Sequence, residues 1–182
     1  MSQPVTIRSL SQSTGATFAQ PFEMLEACHE RVHRMLALLF RLRDHLRTHG
    51  PDEQARQAAR DVMRYFDQAA PQHHQDEELH VFPALLAQGD PATVAVVARL
   101  QQDHLQMESR WVGARAVLCA LERGELAGLT PEQDAALDAF ADLYPDHIVA
   151  EEQIAYPAAA AAMDAPAQAG MGAEMMRRRG VT

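Results

Sequence analysis

Nine histidines in a chain of 182 residues, four of them at matched positions relative to carboxylates or to one another, are the chemically suggestive feature of this sequence. Residues Phe66–Pro83 and Phe140–Pro157 form a repeat at an offset of 74. Phe66 matches Phe140, Pro71 matches Pro145, His73 matches His147, Glu77 matches Glu151, Glu78 matches Glu152 and Pro83 matches Pro157, with Phe82 and Tyr156 at a similar position. The two copies share little else, so the common part is a pair of prolines around a His-x-x-x-Glu-Glu core. A weaker echo sets His29 against His104, at an offset of 75. Self-similarity of this kind points to a duplicated structural unit. Here the unit is a helix pair, with one His on its first helix and His-x-x-x-Glu on its second.

Residues four apart on a helix share a face. His73 with Glu77, and His147 with Glu151, can therefore point into one interior, and antiparallel neighbours bring His29 and His104 to it. Four imidazoles and two carboxylates would converge there. Buried carboxylates are costly unless paired or coordinated, and the chain contains no lysine. Nitrogen and oxygen ligands without thiolate suit iron, manganese or zinc. Six protein ligands are too many for one tetrahedral zinc. They fit two metals, each held by two histidines, with both glutamates bridging and a bridging oxide or hydroxide lowering the remaining positive charge. The expected ligand set is His29, His73, Glu77, His104, His147 and Glu151. His33, one turn from His29, reads as a surface residue or as a fifth ligand. Glu108, one turn from His104, reads as an acceptor that orients a ligand histidine. His74 lies about a hundred degrees around the helix from His73 and reads as solvated; Glu78 and Glu152 read as partners of surface arginines.

The elements that must carry these residues are helices. Aromatics are only 5% of the chain, and Ala, Leu and Met dominate the apolar residues, a balance that favours helix over strand. Apolar residues at three- and four-residue steps from Pro21 predict a first amphipathic helix, stopped at His49-Gly50-Pro51. A second runs from about Pro51 to Gln88, a third from about Pro91 to Arg123, and a fourth from Thr130 to about Met163. Four such helices joined by short loops predict an all-α, antiparallel up-down four-helix bundle over residues 20–164. Residues 1–19 are expected as a flexible leader and 165–182 as a flexible tail. Pro71 and Pro145 are expected to kink the second and fourth helices just before their histidines.

Several functions are disfavoured. Net charge is −9 with His neutral, and the dense basic cluster is confined to Arg177-Arg178-Arg179, so no nucleic-acid partner is expected. No apolar run reaches the roughly 18 residues of a membrane span, and the first residues lack a secretory pattern. Two cysteines make no disulfide framework, which predicts a reduced, cytoplasmic protein. The missing lysine excludes Schiff-base chemistry and a Walker lysine.

At the histidine and glutamate motifs the chain resembles the hemerythrin-like, or HHE cation-binding, family, over roughly Pro21 to Met163. The resemblance is carried by Cys28-His29-Glu30-Arg31, by His73-His74-Gln75-Asp76-Glu77-Glu78 with Phe82-Pro83, by Asp103-His104, and by His147-Ile148-Val149-Ala150-Glu151-Glu152 with Tyr156-Pro157. It implies a hemerythrin-like bundle around a non-haem di-iron centre, in proteins that bind dioxygen or nitric oxide, sense oxygen or iron, or help repair iron–sulfur centres. Oxygen-carrying members resemble a five-histidine pattern with His-x-x-x-His on the third helix. This chain has His104 and then Glu108 there, and Glu151 four residues after His147. Its set is closer to the four-histidine, two-glutamate site of the iron-centre repair proteins. Those carry an N-terminal cysteine-bearing domain, and residues 1–20 here contain no cysteine. The first functional reading is a metal-binding protein for a small diatomic ligand or for iron, acting as a binder or sensor. The alternative is a di-iron redox enzyme, such as a peroxidase or nitric-oxide reductase, or a repair protein.

Overall fold

Good helix formers fill long stretches of the chain, and Gly, Pro and Asp punctuate them where one helix must end and the next begin. The computed structural model describes residues 17–181, and among them every regular element is helical. Helix α1 spans Pro21–His49 and ends at Gly50, whose φ of 76° lets its N–H reach back to the Leu46 carbonyl. Helix α2 spans Glu53–Asp76, capped by the Asp52 carboxylate on the Ala55 N–H. A π-helical turn, Glu77–Val81, and α3, Phe82–Leu86, continue the same run. Helix α4 spans Pro91–Glu122 and is capped by Asp90. Helix α5, Pro131–Ala141, opens with a reciprocal capping box between Thr130 and Gln133. Helix α6, Tyr144–Ala150, a second π turn, Glu151–Ala155, and α7, Tyr156–Ala162, complete that run. Helix α8 spans Ala165–Arg178.

Two apolar clusters form the core. One gathers Val32, Leu39, Phe66, Met107, Leu118, Phe140 and Tyr144 among others; the second gathers Leu25, Val81, Phe82, Leu100, Ala155, Tyr156 and Met175. Chain order places the histidines between them. His29 falls between Leu25 of the second cluster and Val32 of the first, and His73 between Ala70 of the first and Val81 of the second. His104 falls between Leu100 and Met107, and His147 between Tyr144 and Ala155, again in alternating sense. The polar layer is thus sealed by apolar side chains on both sides. Packing of α1 on α2, α2 on α4, and α4 on α5 and α6 walls it on three sides.

Three features depart from the expectations. First, residues 165–178, expected within a flexible tail, form the fifth helical run. Asp164 caps it, Met171 and Met175, one turn apart, bury in the second cluster, and α8 packs on α1. Gly172 is required there, because a Cβ would overlap the carbonyl oxygen of Phe18. Of the leader, residues 1–16 lie outside the described residues, while Phe18 packs against the second cluster. Second, α2 runs through Pro71 without a break. The carbonyl its ring deprives of a partner is that of Asp67, and both residues are on the exposed side of the helix, where solvent can take the place of the lost N–H. Pro145 stands in the first turn of a new helix, where no N–H is needed.

Third, besides the break before Pro145, each run is interrupted after its histidine, at the two π turns. The Phe82 N–H bonds to the Glu77 carbonyl, and the Tyr156 N–H bonds to the Glu151 carbonyl, each five residues back. Pro83 and Pro157 follow immediately. A proline ring collides with the carbonyl four residues before it, and one extra residue in the turn relieves that collision.

Helix α8 is held to the site's own chain run by charge. Asp76, fully buried beside Glu77, accepts from Arg179 at 2.5 and 3.1 Å, and Arg178 lies 2.8 Å away. Removing both arginines leaves a buried, unpaired carboxylate and is expected to cost about 3 kcal/mol or more. Asp76→Asn leaves arginines that can rehydrate and is expected to cost less. Urea unfolding of Arg178→Ala/Arg179→Ala against Asp76→Asn checks the order; equal, small losses would contradict it.

Candidate metal centre

The local helices deliver the six residues to one place. His29 comes from α1, His73 from α2, His104 from α4 and His147 from α6, while Glu77 and Glu151 each open a π turn. All six are buried, the two glutamates completely. His29, His73, Glu77 and Glu151 present ligand atoms within 4.8 Å of one another.

The atoms divide into two matching halves. His29 Nε2 and His73 Nε2 are 3.1 Å apart. Two nitrogens about 2.1 Å from one ion, at a right angle, would be separated by about that distance. Glu77 Oε1 lies 3.4 Å from His73 Nε2, and Glu151 Oε2 lies 3.0 Å from His29 Nε2. On the other side, Glu77 Oε2 lies 3.3 Å from His104 Nε2, and Glu151 Oε1 lies 2.9 Å from His147 Nε2 and 3.8 Å from His104 Nε2. Each carboxylate therefore turns one oxygen to each histidine pair.

Most of these close approaches are not aligned as hydrogen bonds. Six buried polar atoms of described residues have no hydrogen-bond partner: His73 Nδ1, Glu77 Oε2, His104 Nε2, His147 Nε2, and both oxygens of Glu151. All belong to the expected ligand set. Buried groups left unpaired cost about 1–3 kcal/mol each; His73 Nδ1 lies on the far side of its ring, and the other five, clustered at the centre, fit cation binding.

The far sides of three rings are occupied. His29 Nδ1 is 2.8 Å from Glu152, His104 Nδ1 is 3.1 Å from Glu78, and His147 Nδ1 is 3.3 Å from Asp103. Such carboxylates fix the tautomer that leaves Nε2 free for a metal. Glu78 and Glu152 are thus engaged with the histidines rather than with surface arginines. Their presence in both copies of the repeat was the signal for this.

The halves are not identical. Tyr156 stacks on the His29 ring, and its hydroxyl donates to Glu77 Oε1 and sits 3.1 Å from His29 Nε2. Phe82, its counterpart in the repeat, faces His104 with no hydroxyl. His74, expected to be solvated, is half-buried and stacks on His104 with ring centroids 4.0 Å apart. Its ligand nitrogens lie within 4.8 Å of those of His104 and His147. His33 and Glu108 are both exposed, and neither bonds to the cluster among the described residues. His80, two turns beyond His73, pairs with Glu174 of α8 at 2.8 Å.

Without a cation the cluster balances its charge with protons. Burial, and then the charge of Glu151, push the Glu77 carboxyl up to about 7. Burial would also raise Glu151, but the imidazoles of His104, His147 and His29 hold it well below the usual carboxylate range. Burial opposes protonation of His104, and the Glu151 and Glu77 carboxylates overcome it, raising His104 to about 10. His29 is raised by Glu151 and Glu77 against the same burial, whereas burial drives His73 well down.

Comparison with known proteins agrees with this geometry. The model of the hemerythrin HHE cation binding domain matches residues 20–159. An uncharacterized protein of Haemophilus influenzae is 34% identical over 144 residues, spanning 76% of this chain and 78% of the relative. The matched domain ends before α8.

Because burial lifts the Glu77 carboxyl to about 7 and the carboxylates lift His104 to about 10, a cation displaces protons to bind. Divalent-metal uptake near neutral pH is therefore expected to release at least one proton per chain, and apparent affinity is expected to rise with pH through 7. Calorimetric titration in two buffers of different ionisation enthalpy measures this. Uptake without proton release would contradict the charge balance.

Proposed function

The chain belongs to the hemerythrin HHE cation-binding domain family, and from that premise we propose that it carries a dinuclear, non-haem iron centre which binds a small ligand such as dioxygen or nitric oxide. Its role would be small-ligand binding or the sensing of oxidative or iron status. The observation that carries the reading is the set of five partnerless buried atoms at the centre, on Glu77, His104, His147 and Glu151, all expected ligands. The division of each carboxylate between two histidine pairs supports two ions over one. In this reading His29 and His73 would hold one ion, His104 and His147 the other, with Glu77 and Glu151 shared between them. The all-nitrogen-and-oxygen donor set suits iron, and manganese or zinc are the alternatives the metal analysis must separate.

The four long runs, 21–49, 53–86, 91–122 and 131–162, are read as an up-down bundle with α8 added as a fifth helix. Bound iron would supply exchangeable coordination positions and one-electron redox steps. The chain's own residues do the rest. Glu152, Glu78 and Asp103 orient His29, His104 and His147 through their Nδ1 atoms. Tyr156 holds the Glu77 carboxylate through its hydroxyl. The two apolar clusters keep bulk water from the carboxylates. No helix among the described residues is long and apolar enough to cross a membrane. A cytoplasmic location remains part of the proposal through the two unbridged cysteines.

Protein purified without chelator is expected to contain two irons per chain, with a visible absorption band that nitric oxide or azide alters. His33→Ala is expected to keep both metals, whereas Glu77→Ala or Glu151→Ala is expected to lose at least one. Full metal content in both glutamate variants, with loss in His33→Ala, would overturn the ligand set. A loaded centre whose spectrum ignores small ligands would remove the binding role.

A further inference from the structure

A cavity of about 380 Å3 opens between α2, α4, α5 and α6 and ends on the outer face of the His104 side of the centre. Its size does not match a diatomic ligand. A water molecule, of comparable size, takes about 30 Å3 of liquid, so the space is on the order of ten times too large. Pockets for small organic molecules begin at about 300 Å3 and are mainly apolar, with a few polar groups that set orientation.

The walls have that composition. Phe66, Trp111, Phe140 and Tyr144 form one aromatic cluster, with ring centroids 4.9 to 5.7 Å apart. The floor is the stacked pair His74 and His104. His104 is committed, its Nδ1 to Glu78 and its Nε2 toward the carboxylates. His74 has no hydrogen bond among the described residues, which makes it the polar group at the floor free to meet a ligand. Charge narrows the choice. Among the described residues no arginine lines the cavity, and both nitrogens of His104 face carboxylates already, so an anion finds no free cationic group. Glu78 is already engaged by Gln101 and His104, and Glu108 is exposed to solvent. A buried ammonium would therefore lose its hydration without an uncommitted buried carboxylate to replace it.

We propose that this cavity binds a neutral, single-ring organic molecule of the phenol type, its ring against the aromatic wall and its hydroxyl on His74. The proposal deepens the metal-centre reading and rests on it only for the ligand's position, one imidazole away from the His104–His147 pair. It places an organic ligand beside the centre in addition to any diatomic one.

Trp111 is the single tryptophan of the chain and lines the cavity, so its emission reports occupancy. Phenol, toluene, benzoate and benzylamine are titrated into the protein as purified and again after metal removal, with metal content measured in each sample. Phenol is expected to give a saturable change with a Kd on the order of 1 mM, with benzoate and benzylamine at least about tenfold weaker. Ala70→Phe fills the space and is expected to weaken phenol at least about tenfold at unchanged metal content. Should that variant not fold, His74→Leu decides: it changes a half-buried residue and is expected to erase the preference for phenol over toluene while leaving the metals in place. Saturable phenol binding in protein that holds no metal as purified and takes up none when iron is added would sustain the cavity and defeat the metal reading. Loaded protein with no saturable response up to about 10 mM phenol would overturn the cavity and leave the metal reading intact. Tighter binding of benzoate or benzylamine, or loss of metal in His74→Leu, would also overturn the assignment.

Discussion

Two carboxylates, Glu77 and Glu151, sit fully buried with oxygens within 4.8 Å of each other. Both ionised, they would repel by about 3–4 kcal/mol at an effective dielectric near 20, before any desolvation cost. The surrounding architecture answers that problem. Four imidazoles converge on the pair, three with carboxylates behind them, and two apolar clusters seal the layer above and below. Protonation of His104, raised to about 10, and of Glu77, raised to about 7, relieves the repulsion in part. It leaves five polar atoms at the centre unpaired, which a bound cation would answer more completely.

The π turns connect this electrostatic requirement to the backbone. Each begins at the glutamate itself and ends just before a proline, in both halves of the duplication. The proline ring supplies a steric reason for the extra residue, and the widened turn lies where each glutamate meets both histidine pairs. The duplication has then diverged on one side of the layer against the other. Tyr156 against Phe82, Cys28 against Asp103, and Ile148 against His74 are among the positions where the halves differ. They set a closed, hydroxyl-bearing side at His29 and His73 against a side reached from a cavity at His104. Asp76 has Ala150 as its counterpart, so the arginine clamp of α8 also belongs to one half alone.

Much of this was legible in the sequence for a physical reason. Helix period, caps and breakers are local signals, and Thr130 with Gln133 or Gly50 after His49 act within one turn. The six clustered residues were legible because duplication wrote His-x-x-x-Glu twice. What escaped was non-local or masked by composition. The helix at 165–178 reads as an Ala/Gly/Met/Arg tail until Met171 and Met175 find the second cluster and Arg179 finds Asp76. The break after Glu77 escaped because Pro71 is the more conspicuous proline, although its ring faces solvent where a helix tolerates it. His74 escaped because helical angle alone turns it away from His73, and only packing of α4 turns that face inward against His104.

The central claim is that these six residues hold two metals bridged by both glutamates. Anomalous diffraction at the iron edge from crystals of the purified, iron-loaded protein tests it most directly. The account predicts two peaks per chain, one contacted by His29 and His73 and the other by His104 and His147, with Glu77 and Glu151 reaching both. A single peak, or a second peak coordinated by His74 in place of the bridging carboxylates, would contradict it.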